Sequence, residues 1–471
     1  MKLRHALARR NPDRATPDNP RLETAPSEVR AFAIFFVLLA LIYGAWLMVF
    51  WPGVIGEDSL AILLHVENPG TFNSWKPTFW YRYVQLLYEH LRLAELPIGV
   101  VMILSAFILA RILGWCWSQR IFKTTIFLLF FICIAPHFIY FLGLLYADGI
   151  FSVAVAGLLF ETWLLSQQRK ANFLSLLSLA ISFPFALFVR TNGIIFLIPV
   201  AALIFMVNHR ASRVWIGAIV AGWCGLMVIL SYHDQRQTHE ALYPLALYET
   251  IDFLQPRPMS SWFDSTPRVS PLTVETMTRS HPMEIYLNHY DPDYWDMLNF
   301  DPTGPRAMAL PPQDRNIITK EFFRYNMWRN FPKFMGSRVN IFLVATFAQG
   351  SFPGLAYSKM TLPRLHSQSV YRRFNLEGTE RLLNKIHEYY YKYRWLLWTP
   401  LLGMSLMFWA LRIGIRERNA TFLLVSLPML AQLAGIFVFS IAGEYRYLLH
   451  FFTLPLALLP LIVTHKNPRH D

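Results

Sequence analysis

Four clusters of charged residues stand at the ends of long apolar runs, and they are the strongest candidates for chemistry in this sequence. The first is the pair Glu57-Asp58, which follows a Pro-Gly turn after the first run. Two adjacent carboxylates at a membrane surface can supply a general base, a metal ligand or a group that binds a hydroxyl. The alternative interpretation is that Asp58 only caps the helix that begins there.

The second cluster is cationic and aromatic. It comprises Trp75, Lys76 and Arg82, downstream of the first pair. A lysine and an arginine beside aromatic rings suit the phosphate of a lipid. An ordinary belt of interfacial aromatic residues with snorkelling cations has the same composition, and this interpretation stays open.

The third cluster centres on Asp148, which opens an apolar run with no cation close to it in sequence. The N-terminus of a helix stabilises a carboxylate, so a purely structural role is the alternative. Glu161 lies near the other end of the same run, and we expect its side chain to snorkel to the membrane surface.

The fourth cluster holds two arginines that stand at run ends far apart in sequence. Arg190 is followed by Asn192, and Arg446 is preceded by Glu444 and Tyr445. Arginine binds phosphate in a bidentate manner and stays charged. A salt bridge from Glu444 to either arginine would be structural instead, and both interpretations stay open.

The composition shows which elements must position these side chains. Of 471 residues, 54% are hydrophobic and only 15% are charged, whereas soluble domains carry about 25% charged residues. The net charge of +13 lies in short loops between the apolar runs, which argues against a nucleic-acid partner. The sequence has no P-loop and no GxSxG motif, which argues against a nucleotide-driven pump and a serine hydrolase.

Ten apolar runs approach the roughly 20 residues that cross a bilayer. They predict an all-α polytopic membrane protein with about ten transmembrane helices, interfacial helices and an extracytoplasmic cap. Basic residues fall in alternate loops, so the positive-inside rule places both termini in the cytoplasm and the four clusters outside. Residues 334–348 would be an eleventh span, but we expect a partly inserted or surface helix. The runs lie near residues 31–51, 97–117, 124–144, 149–166, 172–189, 192–207, 214–231, 394–411, 420–440 and 446–464.

The same pattern divides the chain into four parts. Residues 1–30 form a cytoplasmic tail, and residues 31–231 form a transmembrane core that includes the first outer loop, 52–96. An extracytoplasmic cap covers residues 232–393, and C-terminal transmembrane helices cover residues 394–471.

The order and placement of the clusters resemble the GT-C superfamily of integral membrane glycosyltransferases, in particular its bacterial branch. The segments that carry the resemblance are Gly53 to Pro77, Tyr146-Ala147-Asp148, Arg190-Thr191-Asn192-Gly193, Asn330 to Arg338 and Glu444-Tyr445-Arg446-Tyr447-Leu448. Asp58 matches the acidic residue of the family's first outer loop, with Glu57 as its rival, and Asp148 matches a second acid. The family's Trp-His-Pro triplet is Trp75-Lys76-Pro77 here, which replaces a possible proton carrier with a fixed cation.

The resemblance implies that a sugar moves from a polyprenyl phosphate to a glycan, lipid or protein acceptor outside a bacterial inner membrane. Asp58 would act as the base of an inverting transfer. The resemblance leaves the cofactor open, although Asp58 and Asp148 would hold a divalent cation such as Mg²⁺ or Mn²⁺. The cations Lys76, Arg82, Arg190 and Arg446 would bind the donor phosphate, and the other substrate contacts would be Trp75, Asn192, Glu444 and Tyr445.

Two other classes stay open beside the enzyme. One is a lipid or polysaccharide transporter, or flippase, although its site would be expected near the middle of the bilayer. The other is a non-catalytic assembly protein, in which the charged clusters are structural. Every class places the chain among membrane lipids.

Overall fold

The computed structural model describes residues 26–72, 74, 76–168, 170–232, 242–256, 268–347 and 354–466. Within those residues the chain is helical, and its single β pairing is an isolated bridge between Val54 and Leu144. Most of the predicted tail, residues 1–25, lies outside the described residues, as do Trp75 and parts of the predicted cap.

The first half of the described chain holds ten α-helices. A 3₁₀-helix at Thr191–Phe196 leads into the ninth of them. The ten helices are α1 (Pro26–Val49), α2 (Glu57–Glu67), α3 (Thr78–Tyr88), α4 (Glu95–Ser118), α5 (Phe122–Ile134), α6 (Pro136–Leu142), α7 (Ala147–Gln167), α8 (Phe173–Leu187), α9 (Leu197–Met206) and α10 (Arg210–Tyr232).

The second half mixes short helices with further long ones. A π-helical turn at Phe322–Asn326 and a 3₁₀-helix at Tyr445–Leu448 interrupt the sequence of α-helices. The α-helices are α11 (Tyr243–Leu254), α12 (Pro271–Thr278), α13 (Met283–Asn288), α14 (Asp296–Phe300), α15 (Pro312–Glu321), α16 (Met327–Arg329), α17 (Phe331–Thr346), α18 (Leu355–Thr361), α19 (Glu377–Lys392), α20 (Arg394–Leu397), α21 (Leu401–Arg416), α22 (Ala420–Phe439), α23 (Leu449–Thr453) and α24 (Pro455–Lys466).

Within the described residues, seven helical stretches are long and apolar enough to cross a membrane, which confirms the all-α polytopic membrane class. Three further predicted spans are shorter apolar helices, Phe122–Ile134, Phe173–Leu187 and Thr191–Met206, so the count of about ten stays a prediction. Residues 334–348 mostly fall in α17, and its insertion also stays a prediction. The seven stretches are Glu28–Val49, Glu95–Ser118, Ala147–Gln167, Arg210–Tyr232, Arg394–Arg416, Ala420–Phe439 and Tyr445–His465.

Helix α7 forms the centre of the bundle. It is apolar on all sides, as expected of a helix that other helices surround, and it packs against α4, α8, α23 and α24. A Cβ atom on Gly149 would lie 2.1 Å from the carbonyl oxygen of Phe141. Only glycine therefore allows the start of α7 to approach the end of α6 this closely, and Asp148 takes its position from that contact.

A second, separate hydrophobic core involves residues 243–341, within the predicted cap. The buried ion pair of Arg338 with Glu249 fastens α17 to α11. The side on which this part of the protein lies stays a prediction.

The segment that contains α18 returns to the start of the chain and holds the first loop. Ser358 Oγ donates to the carbonyl oxygen of Gly53 at 2.8 Å and accepts from the amide of Ile55 at 2.8 Å. Thr361 Oγ1 donates to the carbonyl oxygen of Ile55 at 3.1 Å. These bonds fix the backbone just before Asp58, although about 300 residues separate the partners in sequence.

The prediction that Glu161 snorkels is wrong. Its side chain is fully buried, and Arg111 Nε donates to Glu161 Oε1 at 2.8 Å. Arg111 also pairs with Glu28 and donates to Ser175 Oγ at 3.0 Å. A buried carboxylate that gains a cation and hydrogen bonds has no need to reach the membrane surface.

Candidate functional site

The loop after α1 delivers Asp58 to the site. Gly53 adopts a φ of +103°, which side chains disfavour, and the amide of Val54 donates to the carbonyl oxygen of Gly143 at 3.0 Å. Helix α2 then begins with Gly56 as its N-cap, so Asp58 lies in the first turn and the capping interpretation is wrong. The helix dipole favours a carboxylate at this position.

Four other elements converge on Asp58 from other parts of the sequence. Lys76 precedes α3, Asp148 lies in the first turn of α7, and Arg190 immediately precedes the 3₁₀-helix that leads into α9. Arg446 belongs to the 3₁₀-helix at the start of the last long stretch. All of these positions are ends of apolar helices, which explains why the charges meet at one end of the bundle.

The charged groups form one continuous network. Lys76 Nζ lies 2.7 Å from Asp58 Oδ2, and the guanidinium of Arg446 bonds the same oxygen. Arg446 also pairs with Glu444, with Nη2 at 3.0 Å from Oε1, and its Nη1 lies 4.0 Å from Asp148 Oδ2. Arg190 pairs with Asp148. Arg446 therefore connects the three carboxylates.

A cavity of about 220 Å³ opens beside this network. Tyr447 lies close to both arginines, with its ring centroid 5.5 Å from the Arg446 guanidinium carbon and 5.3 Å from that of Arg190. The ring centroid of Tyr146 lies 5.2 Å from the guanidinium carbon of Arg446. The aromatic rings thus hold both guanidinium groups at the wall. The lining residues are Asp58, Lys76, Pro77, Trp80, Leu145, Tyr146, Ala147, Asp148, Val189, Arg190, Thr191, Arg446 and Tyr447.

The electrostatics of the site favour the ionised form of Asp58. Burial alone would raise the pKa of Asp58, but the Arg446 guanidinium and the Lys76 ammonium hold it well below its usual range. Burial lowers the pKa of Lys76, and the nearby Asp58 carboxylate opposes this effect. Burial likewise lowers the pKa of Arg190. An anion that entered the cavity would meet three cations, and it would compete for them with the carboxylates to which they are paired.

The carboxylates do not fit the divalent cation that the resemblance left open. Asp58 is bonded by Lys76 and Arg446, and Asp148 is bonded by Arg190. A metal ion between them would face three neighbouring positive charges. In the described part of the chain, no group of three or more His, Cys, Asp or Glu side chains is arranged to hold a metal ion.

Five of the predicted site residues line the cavity: Asp58, Lys76, Asp148, Arg190 and Arg446. Glu57 is exposed to solvent and does not line it. Arg82 lies outside the lining and donates from Nη1 to Gln85 Oε1 at 2.8 Å. Trp75 lies outside the described residues.

Three further predicted residues do not line the cavity but lie within two positions of a lining residue in sequence. Glu444 holds Arg446 in place. Asn192 Nδ2 donates to Gln432 Oε1 at 2.9 Å, and Gln432 Nε2 donates to the Asn192 carbonyl oxygen at 2.6 Å. Tyr445 is buried next to the ring of Phe141.

Sequence reasoning assigned no role to Tyr146, Tyr447 or Trp80, although all three line the cavity. Tyr146 stands two positions before Asp148, and Tyr447 directly follows Arg446. An aromatic residue so close to an interfacial charge was a usable signal for a ring that packs on a guanidinium.

The fold and this site define an all-α polytopic membrane protein whose charged cavity lies at one end of its helices. Comparison with protein-family models, with curated proteins and with solved structures finds no match to this chain.

Proposed function

We propose that this protein is a membrane glycosyltransferase of the GT-C type. In this proposal it moves a sugar from a polyprenyl-phosphate donor to a glycan, lipid or protein acceptor. The observation that carries the proposal is the convergence of Lys76, Arg190 and Arg446 on one cavity that also contains the carboxylate of Asp58. Cations for a phosphate and a carboxylate for a hydroxyl are the two parts that such a transfer needs.

The three cations would act on the donor. As the bond between the anomeric carbon and the phosphate oxygen breaks, its electron pair stays on the phosphate, and the negative charge there grows. Cations aimed at that oxygen stabilise the transition state more than the ground state. The acceptor hydroxyl oxygen then bonds the anomeric carbon from the opposite face, and its proton passes to Asp58.

The ion-pair network requires that the donor binds before Asp58 acts as a base. Lys76 and Arg446 bond the same oxygen of Asp58 and depress its basicity, whereas a general base works best with a pKa near the working pH. A donor phosphate would compete for both cations and add negative charge beside the carboxylate. Asp58 would therefore become a competent base after the donor is bound.

The membrane setting follows from the sequence pattern. Apolar lining residues such as Trp80, Leu145 and Val189 suit the first prenyl units of a lipid donor. The positive-inside distribution of basic loops favours cytoplasmic termini and a cavity on the opposite side, which would be the periplasmic face of a bacterial inner membrane.

A transfer assay with the full chain in nanodiscs tests the proposal. A panel of polyprenyl-phosphate sugars is offered with candidate acceptors, and sugar release is measured for the wild type, Asp58→Asn and Glu57→Gln. We expect the transfer rate of Asp58→Asn to fall by a factor of about 10²–10⁴, which is the usual contribution of a general base. Glu57→Gln should lose far less, because its side chain is exposed and does not line the cavity.

Folding of each variant is checked by its melting temperature and its elution as a single species. A folded Asp58→Asn variant that retains near-normal transfer would eliminate Asp58 as the base. Equal losses in both variants would point to damage of α2 rather than to chemistry.

A lipid or polysaccharide transporter is the second candidate, and one specific observation favours it. Arg111, Glu28 and Glu161 form a buried ionic cluster inside the helical bundle, and ionisable groups inside a membrane commonly mark transport pathways. A fluorescent-lipid flip assay in liposomes distinguishes the two functions. Flipping by the wild type that a folded Glu161→Gln variant has lost, together with no sugar release from any donor, would favour the transporter.

A further inference from the structure

Helix α19 carries an exposed apolar stripe that no described part of the chain covers. Leu382, Ile386 and Tyr389 recur at helical spacing and are 59%, 41% and 63% exposed. At about 100° per residue they lie on one face. Three large side chains on one side of an amphipathic helix require a covering partner of some kind.

The face of α19 opposite the apolar stripe packs against the helical bundle and fixes the position of the helix. The His387 ring lies 4.2 Å from the ring of Tyr140 and 6.3 Å from that of Phe50, at the end of α1. Arg372 Nη2 donates to Glu380 Oε1 at 2.8 Å. Helix α19 is thus anchored at the same end of the bundle as the cavity, because the loop that delivers Asp58 also follows α1.

The charges of α19 are sorted around its circumference. The exposed side chains of Arg381, Lys385 and Lys392 flank the apolar stripe on the side away from the packing face. The exposed acids Glu377 and Glu388 lie farther round, beyond the basic residues. The order of faces is therefore protein, apolar stripe, basic flank and acidic face, which is the order expected of a helix that lies in a membrane surface.

The chain continues from this helix directly into a membrane-crossing stretch. Arg394–Arg416 begins two residues after α19 ends. The apolar side chains near its start are also exposed, by 55% for Trp395, 62% for Leu396 and 47% for Leu397. In a stretch that crosses a membrane, lipid covers such exposed apolar residues, and the stripe of α19 precedes them by only a few residues in sequence.

We propose that α19 lies in the plane of the membrane and binds the anionic headgroups of phospholipids. The apolar stripe of Leu382, Ile386 and Tyr389 enters the acyl region, and Arg381, Lys385 and Lys392 reach the headgroup phosphates. The occupant of this surface is the lipid leaflet that borders the cavity. This inference is independent of the proposed transfer reaction.

Depth measurements on the full chain in nanodiscs test the placement of the helix. Single cysteines are introduced as Ile386→Cys and, as the matched control, Glu388→Cys, after Cys116, Cys133 and Cys224 have been replaced. Each is labelled with an environment-sensitive fluorophore and exposed to lipids that carry a shallow doxyl quencher. We expect a blue-shifted, strongly quenched label at position 386 and a water-like label at position 388.

Native mass spectrometry of bound phosphatidylglycerol tests the headgroup contact. The combined variant Arg381→Gln, Lys385→Gln and Lys392→Gln should bind this lipid about fivefold more weakly for each charge removed, at low salt. The matched control removes the same charge from exposed positions outside α19 through Arg306→Gln, Lys320→Gln and Arg324→Gln, and it should bind normally.

Three results would overturn the inference. A water-like label at position 386 would show that the stripe does not meet lipid. Energy transfer between labels on two copies, without lipid quenching, would show that a second copy of the chain covers it. Equal loss of lipid from the two triple variants would show that net charge, and not the basic flank of α19, holds the headgroups.

Discussion

Two cations bond the same carboxylate oxygen of Asp58. Its Oδ2 accepts from both Lys76 and Arg446, so the carboxyl is strongly stabilised in its ionised form. Because the pKa is lowered in the folded state, these ion pairs stabilise the protein above the unfolded pKa of about 3.9 and are lost as the pH falls below it. At neutral pH the free protein therefore holds an ionised but weakly basic Asp58.

The pH dependence of transfer should reveal whether the donor releases this carboxylate. The profile of kcat/KM reports the free enzyme, and that of kcat reports the enzyme with substrate bound. We expect the acid limb of kcat to lie at higher pH than the acid limb of kcat/KM, because bound phosphate draws Lys76 and Arg446 away from Asp58. Steady-state kinetics from mildly acidic to mildly alkaline pH should show the acid limb of kcat while kcat/KM is still level, and limbs that coincide would contradict the release of Asp58.

At the scale of elements, the contact between α6 and α7 positions the second carboxylate. A Cβ atom at position 149 would overlap the carbonyl oxygen of Phe141, which is backbone and cannot move aside alone. We expect Gly149→Ala to cost at least about 1–3 kcal/mol, the usual range for overpacking. Its melting temperature in detergent should fall clearly, whereas Gly222→Ala, where a Cβ meets no atom within 4 Å, should melt like the wild type.

His387 makes the attachment of α19 sensitive to acid. Burial lowers its pKa from 6.5 to about 4, so the unfolded or detached state binds the proton more readily. The attachment should weaken as the pH falls from 6.5 through about 4 and should be constant above that window. Hydrogen exchange of α19 measures the effect, and His387→Phe should remove the pH dependence while it keeps the ring contact.

Sequence reasoning succeeded where one property repeats along a helix. The apolar runs gave the helical membrane class, and the charges at run ends included five residues that line the cavity. Sequence reasoning failed where the position of a side chain depends on a contact with a residue elsewhere in the sequence. Glu161 was expected to snorkel because Arg111 lay unnoticed inside an apolar run. The contact of Lys76 with Asp58 was likewise not anticipated, while the assignment of Lys76 to phosphate stays a prediction. A single sequence carries no distances between such partners.

At the scale of the whole molecule, the buried cluster of Arg111, Glu28 and Glu161 ties three long helices together, about 20 Å along α7 from Asp148. Removing one member leaves the others buried and uncompensated, which costs about 3–5 kcal/mol. We therefore expect Arg111→Met to be strongly destabilised in thermal unfolding. The combined variant Arg111→Met, Glu28→Leu and Glu161→Leu should recover most of that loss, and no recovery would contradict an electrostatic origin.

Asp58 and Arg446 are 388 residues apart in sequence, so the ribosome synthesises them at different times. At the usual rates of synthesis, Asp58 emerges from the ribosome about 20 to 80 s before Arg446. During that interval the first loop has neither its last cation nor the backbone clamp from Ser358 and Thr361. The nascent protein therefore cannot acquire a finished cavity before Arg446 has been inserted, so a ribosome that stops earlier leaves an incomplete cavity in the membrane.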